Sequence, residues 1–268
     1  MKLYICMILV AAVLSPHSQA GTISKFLPPD DFGHLNQHLT QCKNYGCGPT
    51  SAVNSFVFLQ NMYPTTYIHS LAGLSQDTEI TAANTLSDLM CCTTGSSTNW
   101  EKFITGKETY VNNQVPGSTS YGAESTFTWD PGSDGGMPNP DPGNIKTGTI
   151  PTPSYIVSQL TAGRDVEILV GQPYNDTFGH YVTVTGMSFD TDTGTGYFEY
   201  VDPSDGDDHR RDFTINSNGY ISWMNSEGNE RVINTAISEG PIGTPEPSGM
   251  ALLVAGLAVS LASRRRCR

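Results

Sequence analysis

The order of two hydrophobic patterns limits the folds open to this chain more than any other feature. Helical patterns come first. A helix is predicted over residues 49–61, because Pro49 suits a first helical turn and Pro64 prevents continuation. One side of it carries Ala52, Val53, Phe56, Val57 and Gln60, and this side is unusually apolar. Two shorter helices are predicted at about 67–74 and 81–91, and residues 21–45 read as an extended, polar lead-in.

Strand patterns dominate the chain after a further short helix that Pro153-Ser154 opens and Gly163 closes. The predicted strands are 166–170, 181–187, 197–201, 213–215, 220–224 and 231–236. Turns rich in Gly, Asp and Asn join them at hairpin spacing, which predicts an antiparallel sheet. Helices followed by strands indicate an α+β fold, with N-terminal helices packed on a C-terminal antiparallel sheet.

The first twenty residues have the pattern of a secretory signal peptide. Lys2 precedes an apolar run over residues 3–14, and Ser18-Gln19-Ala20 provides small residues for cleavage after Ala20. An uncleaved membrane anchor is the alternative, although the run is short for crossing a bilayer. We therefore expect an exported protein whose folded domain covers residues 21–240.

The last residues, 241–268, form a second targeting segment. Pro245-Glu246-Pro247 precedes an apolar stretch at about 249–263, and four arginines lie within the final five residues. The stretch predicts a transmembrane helix whose arginine-rich end stays in the cytoplasm. This order resembles the PEP-CTERM sorting signal that exosortases process. The resemblance implies a Gram-negative-type envelope, transient membrane anchoring, and release to the cell surface or extracellular matrix. A permanent anchor is the alternative.

Charge and missing motifs exclude several classes of function. The chain has 14 basic and 26 acidic residues, a net charge of −12, which disfavours a nucleic-acid partner. It lacks Gly-x-Ser-x-Gly, His-Glu-x-x-His, Walker and paired Cys-x-x-Cys motifs. Neither a cofactor nor a metal is predicted. Two Asp-rich segments, 190–194 and 202–208, resemble calcium loops but do not complete the ligand pattern, so hairpin turns are the better interpretation.

Residues 93–152 differ in composition from the rest of the chain. They are rich in Gly, Ser, Thr, Asn and Pro, and they predict a long irregular excursion packed on the domain. The aromatic residues that argue against disorder are Trp100, Phe103, Tyr110, Tyr121, Phe127 and Trp129. These side chains either line a cleft or cover the core.

Cys47 is the strongest candidate for chemistry. It lies at the start of the predicted apolar helix, where unpaired backbone N–H groups and the helix dipole favour a thiolate. Gln41, six residues earlier, can offer its side-chain N–H₂ group to the same point. Together with the N–H of Cys47 it could bind the oxyanion that forms when a carbonyl is attacked.

A base and an orienting carboxylate are available on the predicted strands. His180 opens one strand, 133 residues after Cys47, and Asp202 ends the next. If the two strands form a hairpin, both side chains lie at the same end of the sheet. Asp202 could then hold the imidazole tautomer as the third member of a triad does. Asp190 and Asp192 are alternative orienters, and Asp202-Pro203 could be no more than a turn.

These motifs resemble those of papain-like cysteine peptidases, closest to the bacteriocin-processing, double-glycine type. The matching segments are Gln-x₅-Cys-Gly-Pro-Thr-Ser, the downstream Gly-His-Tyr-Val and a following Val-Asp-Pro. The resemblance covers roughly residues 36–62 and 154–204. It implies a papain-like fold with Cys47 as nucleophile, His180 as base, Asp202 as orienter and Gln41 as oxyanion partner. The implied activity is cleavage of a peptide or isopeptide bond in a peptide or protein substrate, or acyl transfer.

The state of the cysteines decides between this enzyme and a non-catalytic protein. The predicted mature domain keeps Cys42, Cys47, Cys91 and Cys92, and an oxidising compartment permits disulfides among them. Under the peptidase interpretation Cys42 pairs with Cys91 or Cys92. If Cys47 is itself in a disulfide, the chain is better interpreted as a surface or matrix binding protein on the same fold.

Overall fold

Five α-helices and nine β-strands make up the part of the chain that the computed structural model describes, residues 21–129, 144–173 and 179–243. The helices are α1 (Cys47–Met62), α2 (Pro64–Tyr67), α3 (Gln76–Leu89), α4 (Trp100–Gln114) and α5 (Pro153–Thr161). The strands are β1 (Thr22–Phe26), β2 (Thr119–Ser125), β3 (Ile145–Lys146), β4 (Asp165–Gly171), β5 (His180–Asp190), β6 (Thr195–Asp202), β7 (Asp207–Ile215), β8 (Ile221–Met224) and β9 (Glu230–Pro241). The predicted signal peptide and transmembrane stretch lie outside these residues. No helix within them has the length and apolar character needed to cross a bilayer.

Helix α1 lies at the centre of the molecule, packed against α3 on one side and against β4 and β5 on the other. Thirteen of its sixteen residues are buried, and the helix predicted over residues 49–61 is confirmed. Its buried polar side chains are used as hydrogen-bonding partners for loops: Asn54 Oδ1 accepts from Leu35 N at 2.8 Å, and Gln60 Oε1 accepts from Leu71 N at 2.9 Å. A polar residue in the core thus replaces the missing backbone partners of the adjoining segments.

The sheet is almost entirely antiparallel, and six of its strands pair in a closed circuit. The strands β4 to β9 pair in sequence order, and β4 pairs with both β5 and β9. Strand β1 extends the sheet beside β5, while β2 adds beside β9 and carries the short parallel strand β3. The molecule is therefore a mixed α/β structure with a large, mostly antiparallel sheet.

The prediction of an irregular excursion over residues 93–152 is wrong for its first half. It contains α4, capped by Asn99 through a bond from Lys102 N, and the seven-residue strand β2. The buried side of α4 includes Trp100, Phe103 and Ile104, at helical spacing, but surrounding polar residues obscure this pattern. Strand β2 has few apolar residues and depends on its seven-residue pairing with β9, which local sequence cannot reveal.

Two further local predictions need correction. The helix expected at 67–74 does not form: the single turn α2 ends at Tyr67, and the next residue, Ile68, has a left-handed backbone (φ 41°). The lead-in of residues 21–45 contains β1, which pairs with β5 from Thr22 opposite Asp190 to Phe26 opposite Gly186. The pairing of β1 with a strand far along the chain is not visible in the local pattern.

A buried ionic cluster joins α4 to the sheet and to α1. The Nζ of Lys107 lies 3.2 Å from Asp165 Oδ2 and 3.2 Å from Glu239 Oε2, and it also contacts Glu167 Oε1. All four side chains are fully buried, and Ser55 donates a hydrogen bond to Glu167. One buried ammonium group therefore contacts three carboxyl groups from two neighbouring strands.

Candidate functional site

Cys47 is the first residue of α1, two residues earlier than the predicted helix start, and its side chain is buried. Hydrogen bonding by the backbone N–H groups of Tyr181 and Gly48 helps to lower the pKa of its thiol. One of these donors belongs to the helix N-terminus and the other to strand β5. The sulfur therefore lies where the first turn of α1 meets the beginning of β5.

His180 and Asp202 are brought together by the predicted hairpin, which is confirmed. Strands β5 and β6 pair antiparallel from Thr183 opposite Val201 to Asp190 opposite Thr195. This arrangement places the first residue of β5 beside the last residue of β6. His180 Nε2 lies 2.7 Å from Asp202 Oδ1. Since Nε2 is bonded to Asp202, Nδ1 is the ring nitrogen left for the hydrogen bond between His180 and Cys47.

The charges of these three groups support one another. Burial by itself raises the pKa of the Cys47 thiol, but the hydrogen bond and charge of His180 lower it below its usual 9.0 overall. Burial lowers the pKa of His180, but its hydrogen bonds to Asp202 and Cys47 raise it to about 10. Burial raises the pKa of Asp202, but His180 and Ser204 lower it to about 2. These shifts favour the thiolate of Cys47, the imidazolium of His180 and the carboxylate of Asp202 over their uncharged forms.

The substitution Asp202→Asn is expected to lower the pH at which the His180 imidazolium loses its proton. Without the carboxylate, burial continues to lower the pKa of His180 while one of the groups that raises it is lost. An opposite charge at this distance shifts a pKa by about 1–3 units, so we expect a move of at least about one unit. The measurement is the ring chemical shift of His180, followed by NMR spectroscopy between pH 5 and pH 11.

Asp205→Asn is the matched control for this experiment. Asp205 Oδ2 lies 3.0 Å from His209 Nε2, so it forms a second carboxylate–histidine pair just after β6. This pair is exposed and does not contact Cys47. Its loss is expected to leave the titration of His180 unchanged. An equal shift in both variants would mean that general surface charge, rather than the Asp202 contact, raises the pKa of His180.

The side chain of Gln41 is directed to α3. Its Nε2 donates to the carbonyl oxygen of Asn84 at 3.1 Å and to Asp88 Oδ1 at 2.8 Å. The backbone N–H of Gln41 also donates to Asn84 Oδ1 at 2.8 Å. Both N–H bonds of the amide are therefore occupied on α3, in an exposed position. The contacts observed for Gln41 hold the chain before Cys47 against α3, and they include none with Cys47, His180 or Asp202.

The structure also shows the position of Asp190, one of the predicted alternatives to Asp202 as the carboxylate that orients His180. Asp190 lies at the opposite end of the β5–β6 hairpin from His180, where its Oδ1 accepts from Asp192 N and Thr193 N. Both carboxylates, Asp190 and Asp202, thus accept backbone N–H groups within a turn.

Within residues 21–129, 144–173 and 179–243, no three His, Cys, Asp or Glu side chains are grouped so that they could hold a metal ion.

All four cysteines of the predicted mature domain are free thiols here. Cys92 Sγ donates to the carbonyl oxygen of Tyr45 at 3.0 Å and lies within hydrogen-bonding reach of Cys42. Burial first, and then the neighbouring Cys42, raises the pKa of Cys92. Cys91 is exposed. Of the two predicted partners for Cys42, Cys92 is therefore the one in contact with it.

The beginning of α4 packs on the first turn of α1, and local sequence patterns did not predict this contact. A Cβ atom at Gly48 would lie 3.3 Å from Thr98 Cβ and 3.4 Å from Phe103 Cδ2. The ring of Phe103 stacks on Tyr181, with 4.4 Å between the ring centroids. Because Tyr181 follows His180, this stack fixes the start of β5. The sequence signal that could have predicted α4 is Asn99 as an N-cap, followed by apolar residues at helical spacing.

A scan against protein-family models finds no match for this chain, and a search of curated proteins finds none that is significantly similar.

Proposed function

We propose that this chain is a thiol hydrolase that cleaves peptide or isopeptide bonds. The observation that carries the proposal is the continuous contact from Asp202 through His180 to Cys47 at the N-terminus of α1. Three titratable groups whose pKa values support an ion pair form the arrangement that thiol-dependent acyl transfer requires. The side chain of His180 is 36 % exposed, so a substrate can reach it.

In the proposed reaction, the Cys47 thiolate attacks the carbonyl carbon while the carbonyl π electrons move to oxygen. The backbone N–H of Cys47 stabilises this oxyanion. The carbon–nitrogen bond then breaks, and the His180 imidazolium gives its proton to the departing amine. Water, deprotonated by His180, attacks the thioester and regenerates Cys47. Attack by an amine instead of water uses the same groups and makes the chain an acyl transferase.

The ends of the sequence support a location for this reaction. The predicted signal peptide and the predicted exosortase-processed tail suit action outside the inner membrane, first anchored to it and then at the cell surface or in the extracellular matrix. The substrate is then a peptide or protein in that compartment, as proposed from the resemblance of the motifs.

Alkylation of the purified chain by iodoacetamide, followed by peptide mapping without reduction, tests the proposal. At pH 6–7, Cys47 is expected to react at least about tenfold faster than Cys91, which corresponds to one pKa unit of thiolate stabilisation. Cys91 is the internal control because its side chain is exposed and lies outside the ion pair. If Cys47 is found in a disulfide, or reacts no faster than Cys91, the binding-protein alternative replaces the hydrolase.

A further inference from the structure

Three thiols lie around the short turn that leads into α1. Residues 43–45 form a 3-10 turn, which Cys42 precedes and Gly46 follows. The backbone N–H of Tyr45 donates to the carbonyl oxygen of Cys42 at 3.0 Å. A Cβ atom at Gly46 would lie 3.5 Å from the Cβ atom of Cys42. Cys42 therefore packs against the residue that comes directly before Cys47.

Cys92 is the thiol that connects the other two. It reaches the turn from just after α3, where its Sγ donates to the carbonyl oxygen of Tyr45 at 3.0 Å. It also lies within hydrogen-bonding reach of Cys42. Burial first, then Cys42 and then the charge of Cys47 raise the pKa of Cys92. Cys92 therefore contacts Cys42 and is close enough to Cys47 for the charge of that sulfur to act on it.

The burial of this cluster determines when its disulfides form. Cys42, Cys47 and Cys92 are all buried, whereas the neighbouring Cys91 is exposed. An external oxidant reaches buried sulfurs slowly once the domain has folded, so their pairing is decided while the chain folds. The predicted signal peptide delivers the chain to a compartment in which disulfides form. The three thiols therefore fold together under oxidising conditions.

The two disulfides open to Cys92 within this cluster have opposite consequences for the proposed reaction. A bond to Cys42 leaves the sulfur of Cys47 free to attack a carbonyl. A bond to Cys47 blocks the nucleophile. The second bond is a real competitor, because His180 favours the thiolate of Cys47 and a thiolate is the form that attacks a disulfide sulfur. The contact between Cys92 and Cys42 opposes it.

We propose that Cys42 protects Cys47 by forming a disulfide with Cys92, the thiol that would otherwise capture the nucleophile. The inference rests on the proposed thiol hydrolase activity. With oxidised glutathione as the oxidant, the Cys42 thiolate attacks one glutathione sulfur and releases the other as a thiolate. The Cys92 thiolate then attacks Cys42 Sγ and releases the second glutathione thiolate. Two protein thiols are oxidised to one disulfide, their two protons pass to glutathione, and Cys47 is unchanged.

Two substitutions that remove the same disulfide separate protection from a purely structural role. Each chain is unfolded in urea with dithiothreitol and refolded at pH 7 with oxidised glutathione and an excess of reduced glutathione. It is then labelled with iodoacetamide and mapped without reduction. In Cys42→Ser, Cys92 is left to pair with Cys47, so labelling of Cys47 is expected to fall at least about tenfold, because a disulfide sulfur is not a thiolate. Dithiothreitol should restore the labelling. Cys92→Ser also lacks the capturing thiol, so its Cys47 should be labelled as in the unmodified chain.

Cys91→Ser is the control, and it should keep both the disulfide between Cys42 and Cys92 and the labelling of Cys47. The proposal is overturned if the unmodified chain joins Cys42 to Cys91 or leaves it as a thiol, if Cys42→Ser keeps a free Cys47, or if Cys42→Ser and Cys92→Ser lose labelling equally. If dithiothreitol does not restore labelling in Cys42→Ser, that variant has not folded, and Cys42→Ala is measured in the same way. A reduced, unmodified chain in which iodoacetamide labels Cys47 no faster than Cys91 defeats the hydrolase, whereas the mapped disulfides still decide which thiol pairs with Cys92.

Discussion

His180→Ala is expected to slow alkylation of Cys47 at pH 7 at least about tenfold, because each unit by which the thiol pKa rises costs a factor of ten in thiolate. His180 provides the hydrogen bond and the charge that most strongly lower the pKa of Cys47. Without them, burial raises the pKa of this thiol. The pH at which alkylation reaches half of its maximum should therefore move above pH 9.

The effect on turnover of a peptide bond should be larger. His180 must also carry the proton to the departing amine, a role worth about 10²–10⁴ in rate. Turnover is measured by mass spectrometry on a mixture of synthetic peptides, with the unmodified chain as reference. A residual rate in His180→Ala close to that of the unmodified chain would show that another group transfers the proton.

His209→Ala is the control for this substitution. His209 is also a strand histidine beside a carboxylate, with Nε2 3.0 Å from Asp205 Oδ2, and its ring stacks on Tyr200. It does not contact Cys47, so alkylation and turnover should not change. If iodoacetamide alkylates Cys47 as fast in His180→Ala as in His209→Ala, the imidazole of His180 does not activate the thiol and the hydrolase proposal fails.

Lys107→Met is expected to lower the free energy of unfolding by about 3–5 kcal/mol, the usual cost of removing one partner from a buried ionic group. The substitution leaves Asp165, Glu167 and Glu239 in the core without their ammonium partner. Urea-induced unfolding, followed by circular dichroism, measures the change. Lys146→Met is the control: Lys146 is 60 % exposed and pairs with Glu124 at 3.3 Å, so its loss should cost less than about 1 kcal/mol.

The loss of unfolding free energy in Lys107→Met should depend on pH. Burial raises the pKa of Glu239 well above its usual value, and burial with the charge of Asp165 raises the pKa of Glu167 to about 7. Lys107 lowers both values, so the substitution raises them further. A carboxyl whose folded pKa is raised gives stability below its unfolded pKa and loses it as pH rises through the folded pKa. The deficit should therefore be smaller at pH 5 than at pH 8, and a deficit independent of pH would contradict this account.

Local sequence was sufficient for the elements that carry the thiol and its base. Pro49, Pro64 and the apolar face between them predict α1, and the observed helix begins at Cys47. Alternation and turn residues predict the β5–β6 hairpin, which places His180 beside Asp202. Helical and strand periods, and hairpin closure over a few residues, depend on neighbours in the chain, so the pattern alone contains the information.

Contacts between distant segments decided the rest. Whether the side chain of Gln41 is directed to Cys47 or to α3, as observed, depends on where residues 33–46 pack, which spacing from Cys47 does not reveal. Strand β2 and the Lys107 cluster likewise join residues far apart in sequence. A polar side chain finds its partner only after the chain is packed, because hydrogen bonds and ion pairs act over a few ångströms in space and leave no period in the sequence.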